Sequence, residues 1–151
     1  LRADGPLGYG KAGSVEGFTS GGGIARLAQH RLATDLQPKP VWANRVEPLT
    51  LKTIADAARA GDVSASAILE EAGERLGETL AVLIDLFNPE RIVLGGYFPR
   101  CGDLLLSSLR ASLQREALPG PVARCSILPA ELGETIGSHG AIAAAMYAWS
   151  V

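Results

Sequence analysis

The chain has 151 residues, of which 47% are hydrophobic, and 14 Lys and Arg against 16 Asp and Glu give it a formal net charge of −2. This length and composition suit one globular unit with its own core. The balanced charge and the lack of basic runs argue against direct nucleic-acid binding by this chain. No apolar stretch approaches the ~20 residues of a membrane-spanning helix, so we expect no membrane association.

The first segment, residues 5–13, is a glycine-rich loop, and the chain starts there without Met, which suggests a piece of something larger. Apolar residues then recur at helical spacing from Val15 to Leu32, with Ser20-Gly21-Gly22-Gly23 either within this helix or just before it. Because each glycine costs a helix about 1 kcal/mol relative to Ala, we expect a close backbone approach there.

Two more helices follow a proline-rich break at residues 37–40. Thr50 is the predicted N-cap of a helix through Ala60. Asp62 or Ser64 is predicted to cap the longest helix, which Asn88-Pro89 ends. Apolar residues three or four apart predict a core face on this longest helix: Ile68, Ala72, Leu76, Leu80, Leu83 and Phe87. We expect its charged residues to form a solvated face: Glu71, Glu74, Arg75 and Glu78.

The last third of the chain predicts an α/β arrangement. Residues 91–96 form a β-branched run ending in two glycines, which is typical of a buried parallel strand that turns sharply. An amphipathic helix follows and is expected to end at Pro119-Gly120-Pro121. Three segments complete a βαβα order: a strand over residues 123–128, a loop over residues 133–140, and a tightly packed helix over residues 141–149.

Two positions are candidates for ligand chemistry. Gly95 and Gly96 follow a predicted parallel strand, at the edge where open α/β sheets bind ligands, and bare backbone there would admit the sugar and base of a nucleotide. A tight turn would explain the two glycines equally well. Glu16 lies near a helix start that favours its charge, where a carboxylate could accept two sugar hydroxyls or simply face solvent.

Other catalytic patterns are missing from the sequence. It has no motif of a serine hydrolase, a zinc peptidase or a Walker phosphate loop. His30 and His139 have no partner at metal-ligand spacing, so we expect simple core or surface roles for both. Cys101 and Cys125 lack CxxC spacing, which favours a reduced compartment and, with no signal peptide, a cytoplasmic location.

The segment from Gly5 to Glu16 resembles the zinc loop of the ROK family (repressors, open reading frames and sugar kinases), whose pattern is GP-C-x-C-G-x-x-G-C-x-E. Gly10, Gly13 and Glu16 fall in register. Residues 87–96 resemble the family's NPxxIVLGG strand, and Ser20-Gly21, residues 57–62, the long helix and Gly140-Ala141 also fit. The resemblance covers nearly the whole chain but only the C-terminal half of a family member.

This resemblance implies an α/β fold of the actin/hexokinase-like (ribonuclease H-like) type, helix-rich with a short βαβα end. Residues 1–151 would then be a single unit, the C-terminal lobe, with the upstream lobe absent. In such kinases ATP binds between the lobes and a sugar hydroxyl is phosphorylated. The general base and the phosphate loops lie upstream, so we assign no catalytic residue here and expect this chain alone to be inactive.

Site roles carry over by matching position. Glu16 would bind the hydroxyls of a hexose. Gly95 and Gly96 would lie against the adenosine of ATP, with Ser20 and Gly21 nearby. Mg²⁺ would act through the absent upstream lobe.

The zinc pattern itself is broken. Leu7, Tyr9 and Ser14 stand where the family has cysteines, and none of them supplies a thiolate, so we expect no zinc. Packing of Leu7 and Tyr9 would have to hold the loop instead.

Three functions follow from the resemblance. The first is the C-terminal portion of an ATP-dependent sugar kinase, glucokinase-like or fructokinase-like, that transfers a phosphoryl group to a hexose. The alternative is the sugar-sensing domain of a transcriptional repressor whose DNA-reading helices lie upstream. The third is a non-catalytic assembly module. In the family fold, the strand at residues 91–95 lies beside strands that this chain does not contain, so the chain alone would expose an apolar sheet edge. We therefore expect it to pair with the missing N-terminal half or with another copy, as a homo-oligomer.

Overall fold

The computed structural model describes residues 5–35, 39–44 and 47–149. Its helices are α1 (Val15–Thr19), α2 (Gly21–Thr34), α3 (Leu51–Arg59), α4 (Val63–Phe87), α5 (Phe98–Glu116), α6 (Pro119–Arg124) and α7 (Ile136–Trp149). Its strands are β1 (Leu7–Gly8), β2 (Lys11–Ala12), β3 (Arg91–Leu94) and β4 (Ser126–Pro129), and 3-10 turns cover Val41–Ala43 and Gly133–Thr135. Among the described helices, none combines the length and apolar character of a bilayer span.

Ser20 divides the first predicted helix into α1 and α2. Its backbone N–H donates to the Glu16 carbonyl (3.1 Å), which ends α1, and its hydroxyl accepts from the Gly23 N–H (2.8 Å), which begins α2. The expected close approach is confirmed at Gly23, where a Cβ would overlap the carbonyl oxygens of Glu16 and Gly17. At Gly22, which is exposed, a Cβ would meet only the end of a flexible arginine side chain.

The caps of α3 and α4 are confirmed. The Thr50 hydroxyl accepts from the Thr53 N–H (3.2 Å), and the Asp62 carboxylate accepts from the Ala65 N–H (2.8 Å). Asn88, at a φ of 44°, ends α4 in the left-handed conformation. These short polar side chains satisfy backbone groups that a helix end leaves without partners, which is why local sequence is enough to locate them.

The buried row of α4 departs from the prediction near its end. Leu80 is buried as expected, but the row then runs through Ile84, while Leu83 is 39% exposed and Phe87 is 72% exposed. The reason is that α5 and α6 cover the side of α4 that carries Ile84. The apolar cluster at this end of the helix consists of Leu80, Ala81, Ile84, Phe98, Leu109, Leu113 and Ala117.

The prediction of a fully solvated charged face on α4 is wrong for Glu71 and Arg75. Arg31 of α2 donates to both carboxylate oxygens of Glu71 (2.6 and 2.9 Å), whose side chain is only 17% exposed. This contact raises the pKa of Arg31. Arg75 lies over the Phe18 ring and donates to Glu78 (2.7 and 2.9 Å). Both residues are partly covered because α1 and α2 pack against this side of α4.

Strand β3 pairs in parallel with β4, in register from Arg91 opposite Ser126 to Leu94 opposite Pro129. The parallel pairing is confirmed, but β3 is not buried, since Val93 is 60% exposed. The second strand begins at Ser126, three residues later than predicted. The reason is that Pro119 begins α6 rather than only ending α5, because proline fits the first helical position.

Helix α7 begins at Ile136, so most of the loop predicted at residues 133–140 is helical. The prediction that this helix is tightly packed is also wrong, since it has no buried residue. It is apolar on all sides, a composition typical of helices that other elements surround. The described elements leave these large apolar side chains exposed: Ile142, Met146, Tyr147 and Trp149.

Gly23→Ala tests the contact between α1 and α2. We expect it to lower the free energy of unfolding by about 1–3 kcal/mol, because the new Cβ would press on two backbone carbonyls. The matched Gly22→Ala, in the same helical turn, should be neutral or stabilise by up to about 1 kcal/mol, since alanine favours a helix. Urea unfolding of the purified chain measures both, and equal effects would contradict the assigned close approach.

Candidate functional site

A short hairpin leads into α1. Strands β1 and β2 pair antiparallel, and the Gly13 N–H donates to the Pro6 carbonyl (3.0 Å). The prediction that packing of Leu7 and Tyr9 holds this loop is wrong, because their side chains are 57% and 93% exposed. Backbone hydrogen bonds hold it instead.

Ser14 stands at a position where the zinc-loop pattern has a cysteine, and its side chain makes two hydrogen bonds. Its hydroxyl donates to the Gly8 carbonyl (3.2 Å) and accepts from the Gly17 N–H (3.2 Å). The first bond reaches back to the hairpin, and the second caps α1. Ser14 therefore attaches the loop to the helix that carries Glu16.

Neighbouring side chains orient the carboxylate of Glu16. The Ser20 hydroxyl donates to its Oε1 (2.7 Å), and Arg26 Nη2 lies 3.3 Å from Oε1 and 3.4 Å from Oε2. The Glu16 side chain is 32% exposed. A carboxylate has about four lone-pair positions, so these contacts leave acceptor capacity toward solvent. Glu16 is thus held in place, with about a third of its side chain exposed.

Arg26 was not among the residues predicted to form the site. It lies ten positions after Glu16, on the next helix, and no local spacing rule connects the two residues. The contact forms because α2 turns back against α1 at Ser20.

The predicted tight turn is confirmed after β3. Gly96 has a φ of 63°, and the Phe98 N–H donates to the Gly95 carbonyl (3.2 Å), which leads the chain into α5. A Cβ on Gly96 would meet nothing within 4 Å, so the backbone here is open. A cavity of about 140 Å³ lies beside the turn, lined by Thr19, Leu76, Leu94, Gly95, Tyr97 and Phe98.

Tyr97 connects this turn to α1 and was not among the predicted site residues. Its hydroxyl donates to the Thr19 carbonyl (2.6 Å), 78 positions away in the chain. Burial raises the pKa of Tyr97 to about 12, so the hydroxyl stays protonated at neutral pH. Gly21, at the start of α2, packs near the Tyr97 ring. The contact brings the Gly95-Gly96 turn to the end of the helix that carries Glu16.

The described residues contain no group of three or more His, Cys, Asp and Glu side chains that could hold a metal ion. His139 Nδ1 lies 2.9 Å from the Thr135 carbonyl oxygen, a contact within its own helix region. Cys101 and Cys125 are free thiols, and burial raises the pKa of both. Neither thiol has the low pKa of a reactive cysteine.

Solved structures show the class of the fold. A ROK family glucokinase from Streptomyces griseus, solved in complex with glucose and AMPPNP, is 30% identical in sequence and superposes with a TM-score of 0.70. The superposition covers 89% of this chain and 45% of that one. The chain therefore has the actin/hexokinase-like fold of these sugar kinases.

The sequence identifies the family within that class. The model of the ROK family matches residues 3–147, and the chain belongs to this family. It is 32% identical over 143 residues to a glucokinase of Halalkalibacterium halodurans, which covers 89% of this chain and 41% of the relative. It is also 32% identical over 110 residues to the DNA-binding transcriptional repressor Mlc of Escherichia coli K12, covering 73% and 26%. The chain spans less than half the length of these relatives.

The absence of zinc remains a prediction. With Leu7, Tyr9 and Ser14 at the cysteine positions, we expect the purified chain to carry no stoichiometric zinc, before or after incubation with zinc and dialysis. Elemental analysis against a buffer blank measures this. About one zinc ion per chain after dialysis would contradict the prediction and would require other ligands.

Proposed function

We propose that this chain is the C-terminal lobe of an ATP-dependent hexose kinase of the ROK family. In this proposal Glu16 binds sugar hydroxyls, and Gly95 and Gly96 lie against the adenosine. The main supporting observation is that Ser20 and Arg26 orient the Glu16 carboxylate, while 32% of the Glu16 side chain is exposed. The glucokinase relatives support a sugar as the ligand.

An oriented carboxylate suits sugar binding for two reasons. Hydrogen bonds from hydroxyls to a charged oxygen are stronger than those between neutral groups. A side chain already held by its neighbours also loses little conformational entropy when a ligand arrives. The contacts from Ser20 and Arg26 therefore favour Glu16 as a binding group rather than a general base.

The open turn after β3 supports the nucleotide assignment. The backbone of Gly96 has no side chain over it, and the adjoining cavity offers the Tyr97 and Phe98 rings and the Leu94 side chain as apolar lining. Ser20 follows Thr19, which lines this cavity, and Gly21 packs near the ring of Tyr97, which also lines it. In this proposal both residues lie close to the nucleotide. Bound ATP would supply the phosphoryl group, and Mg²⁺ would bind to its phosphates and to groups of the other lobe.

The remaining parts of the enzyme belong, in this proposal, to a second lobe. Residues 1–151 form one unit, and the general base and phosphate loops lie outside it. The share of the relatives that the chain covers, 41% and 45% of the two glucokinases, supports this division. The exposed apolar surfaces of α7 and β3 would pack against that lobe or against another copy of the chain. The free thiols agree with the reducing cytoplasm, where we place the protein.

The alternative function is the sugar-sensing domain of a transcriptional repressor. The similarity to Mlc favours it. The same Glu16 site would then bind an effector sugar without phosphorylating it, and DNA-reading helices would lie outside this chain. An assembly module without a working cleft is the third candidate, and it would bind neither sugar nor nucleotide.

Glu16→Gln in the full-length protein tests the sugar site. The change keeps the size of the side chain but removes the charge that strengthens hydrogen bonds from sugar hydroxyls. Such bonds contribute about 1.5–3 kcal/mol each, so we expect at least a roughly 10-fold loss of glucose affinity by calorimetry. Affinity for an ATP analogue should not change. Unchanged glucose binding would return Glu16 to a structural role.

Gly96→Val in the full-length protein tests the nucleotide site by the same binding measurements. A branched side chain where adenosine approaches should weaken the ATP analogue far more than glucose. Gly61→Val is its matched control, because Gly61 also has a positive φ (90°) and open space around it but lies in the turn between α3 and α4. Normal nucleotide binding by Gly96→Val would contradict the nucleotide assignment.

The division into lobes is tested on the 151-residue chain by itself. It should show no ATP-dependent phosphorylation of glucose, because the proposal assigns the phosphate-binding groups and the general base to the other lobe. In size-exclusion chromatography with light scattering it should elute as an associated species, since its apolar surfaces are uncovered. Phosphorylation by this chain would contradict the two-lobe assignment, and a folded monomer at low concentration would contradict the pairing.

A further inference from the structure

Tyr97 occupies a position that joins the two halves of the proposed site. It follows the Gly95-Gly96 turn directly, and its own carbonyl accepts from the N–H groups of Arg100 (3.0 Å) and Cys101 (3.1 Å) at the start of α5. The first turn of α5 therefore holds the backbone of Tyr97 in place. From there its hydroxyl reaches the last residue of α1, Thr19.

The bond to Thr19 leads on to Glu16 by a short path. The Thr19 carbonyl and the Ser20 N–H belong to one planar peptide unit, which moves as a rigid body. The Ser20 N–H donates to the Glu16 carbonyl (3.1 Å), and the Ser20 hydroxyl donates to the Glu16 carboxylate (2.7 Å). Any shift of Tyr97 against α1 would consequently disturb the group that orients Glu16.

The hydrogen bond is well suited to hold a fixed geometry. The Thr19 carbonyl is at a helix end, where backbone oxygens lack partners within the helix, so the Tyr97 hydroxyl satisfies it. The bond is partly buried, which reduces competition from water. A tyrosine hydroxyl is protonated at neutral pH, and burial raises the pKa of Tyr97 further, so the donor is present throughout this range.

We propose that Tyr97 is a positioning residue, whose hydroxyl fixes the sugar-binding carboxylate of Glu16 relative to the nucleotide turn at Gly95-Gly96. This inference rests on the proposed kinase function. Phosphoryl transfer depends on the alignment of the sugar hydroxyl with the transferred group, so small displacements lower the rate even when both ligands remain bound. Tyr97 thus contributes to turnover more than to affinity.

Tyr97→Phe in the full-length protein is the test. The ring and its packing remain, and only the hydroxyl is lost. We expect kcat for ATP-dependent glucose phosphorylation to fall about 3- to 10-fold, the range for one net hydrogen bond. KM for glucose and for ATP should stay within about 2-fold of the wild-type values, since neither ligand contacts the hydroxyl. Tyr9→Phe is the matched control, because Tyr9 is 93% exposed at the turn between β1 and β2, and it should leave kcat unchanged.

Each other outcome overturns the inference in a different way. An unchanged kcat in Tyr97→Phe, with an active wild type, removes the positioning role but leaves the proposed function. A rise of both KM values together with a lower Tm assigns Tyr97 a merely structural role. A wild-type protein that binds sugar but never phosphorylates it contradicts the kinase function, and the positioning role falls with it.

Discussion

The contact between α1 and the first turn of α2 is the constraint on which the candidate site depends. At Gly23 the chain has no side chain, and the backbone of α2 approaches the carbonyls of Glu16 and Gly17 directly. This approach lets the Ser20 hydroxyl accept from the Gly23 N–H while it donates to the Glu16 carboxylate. A bulkier residue would separate the two helices and remove one of these bonds, because a hydroxyl has a short reach.

The loop before α1 shows how backbone and hydroxyl hydrogen bonds can position a charged side chain. Its family pattern has cysteines at three places, and here the side chains at two of those places, Leu7 and Tyr9, are exposed. At the third, Ser14 both caps α1 and bonds the hairpin carbonyl of Gly8. A structural zinc site stabilises a loop through several strong bonds at one point. In this chain, backbone and hydroxyl hydrogen bonds connect the loop to α1.

Helix α4 connects the elements that surround the site. It packs against α1, α2, α3 and α5. Its buried side chains extend from an apolar cluster that includes Ile24, Ile54 and Ile68 to the cluster around Leu80 and Ile84. On its α2 side the Arg31–Glu71 ion pair is two-pronged and partly covered, while on its α1 side Arg75 lies over Phe18. Partly buried, bidentate pairs of this kind depend on exact geometry more than exposed pairs do. The Arg31–Glu71 pair thus fixes α2 against α4, and the Arg75–Phe18 contact adds to the packing of α1, which carries Glu16.

The sequence by itself determined the features that depend on neighbours a few residues apart. The caps at Thr50, Asp62 and Asn88 and the strand before Gly95-Gly96 follow from local hydrogen bonding, backbone preference and side-chain periodicity. The resemblance of the loop and strand motifs was enough to predict the family. The choice of Glu16 as a sugar-binding residue also came from the sequence and stays a proposal.

Only the tertiary structure decided which distant groups meet. Arg26 reaches Glu16 across ten positions, and Tyr97 reaches Thr19 across 78, so no periodicity could indicate either contact. The exposure of α7 and of Leu83 likewise depends on which elements pack against them, and hydrophobicity along the chain does not contain that information. The physical reason is that helix caps and turns satisfy backbone groups locally, whereas burial and long-range hydrogen bonds follow from how whole helices pack.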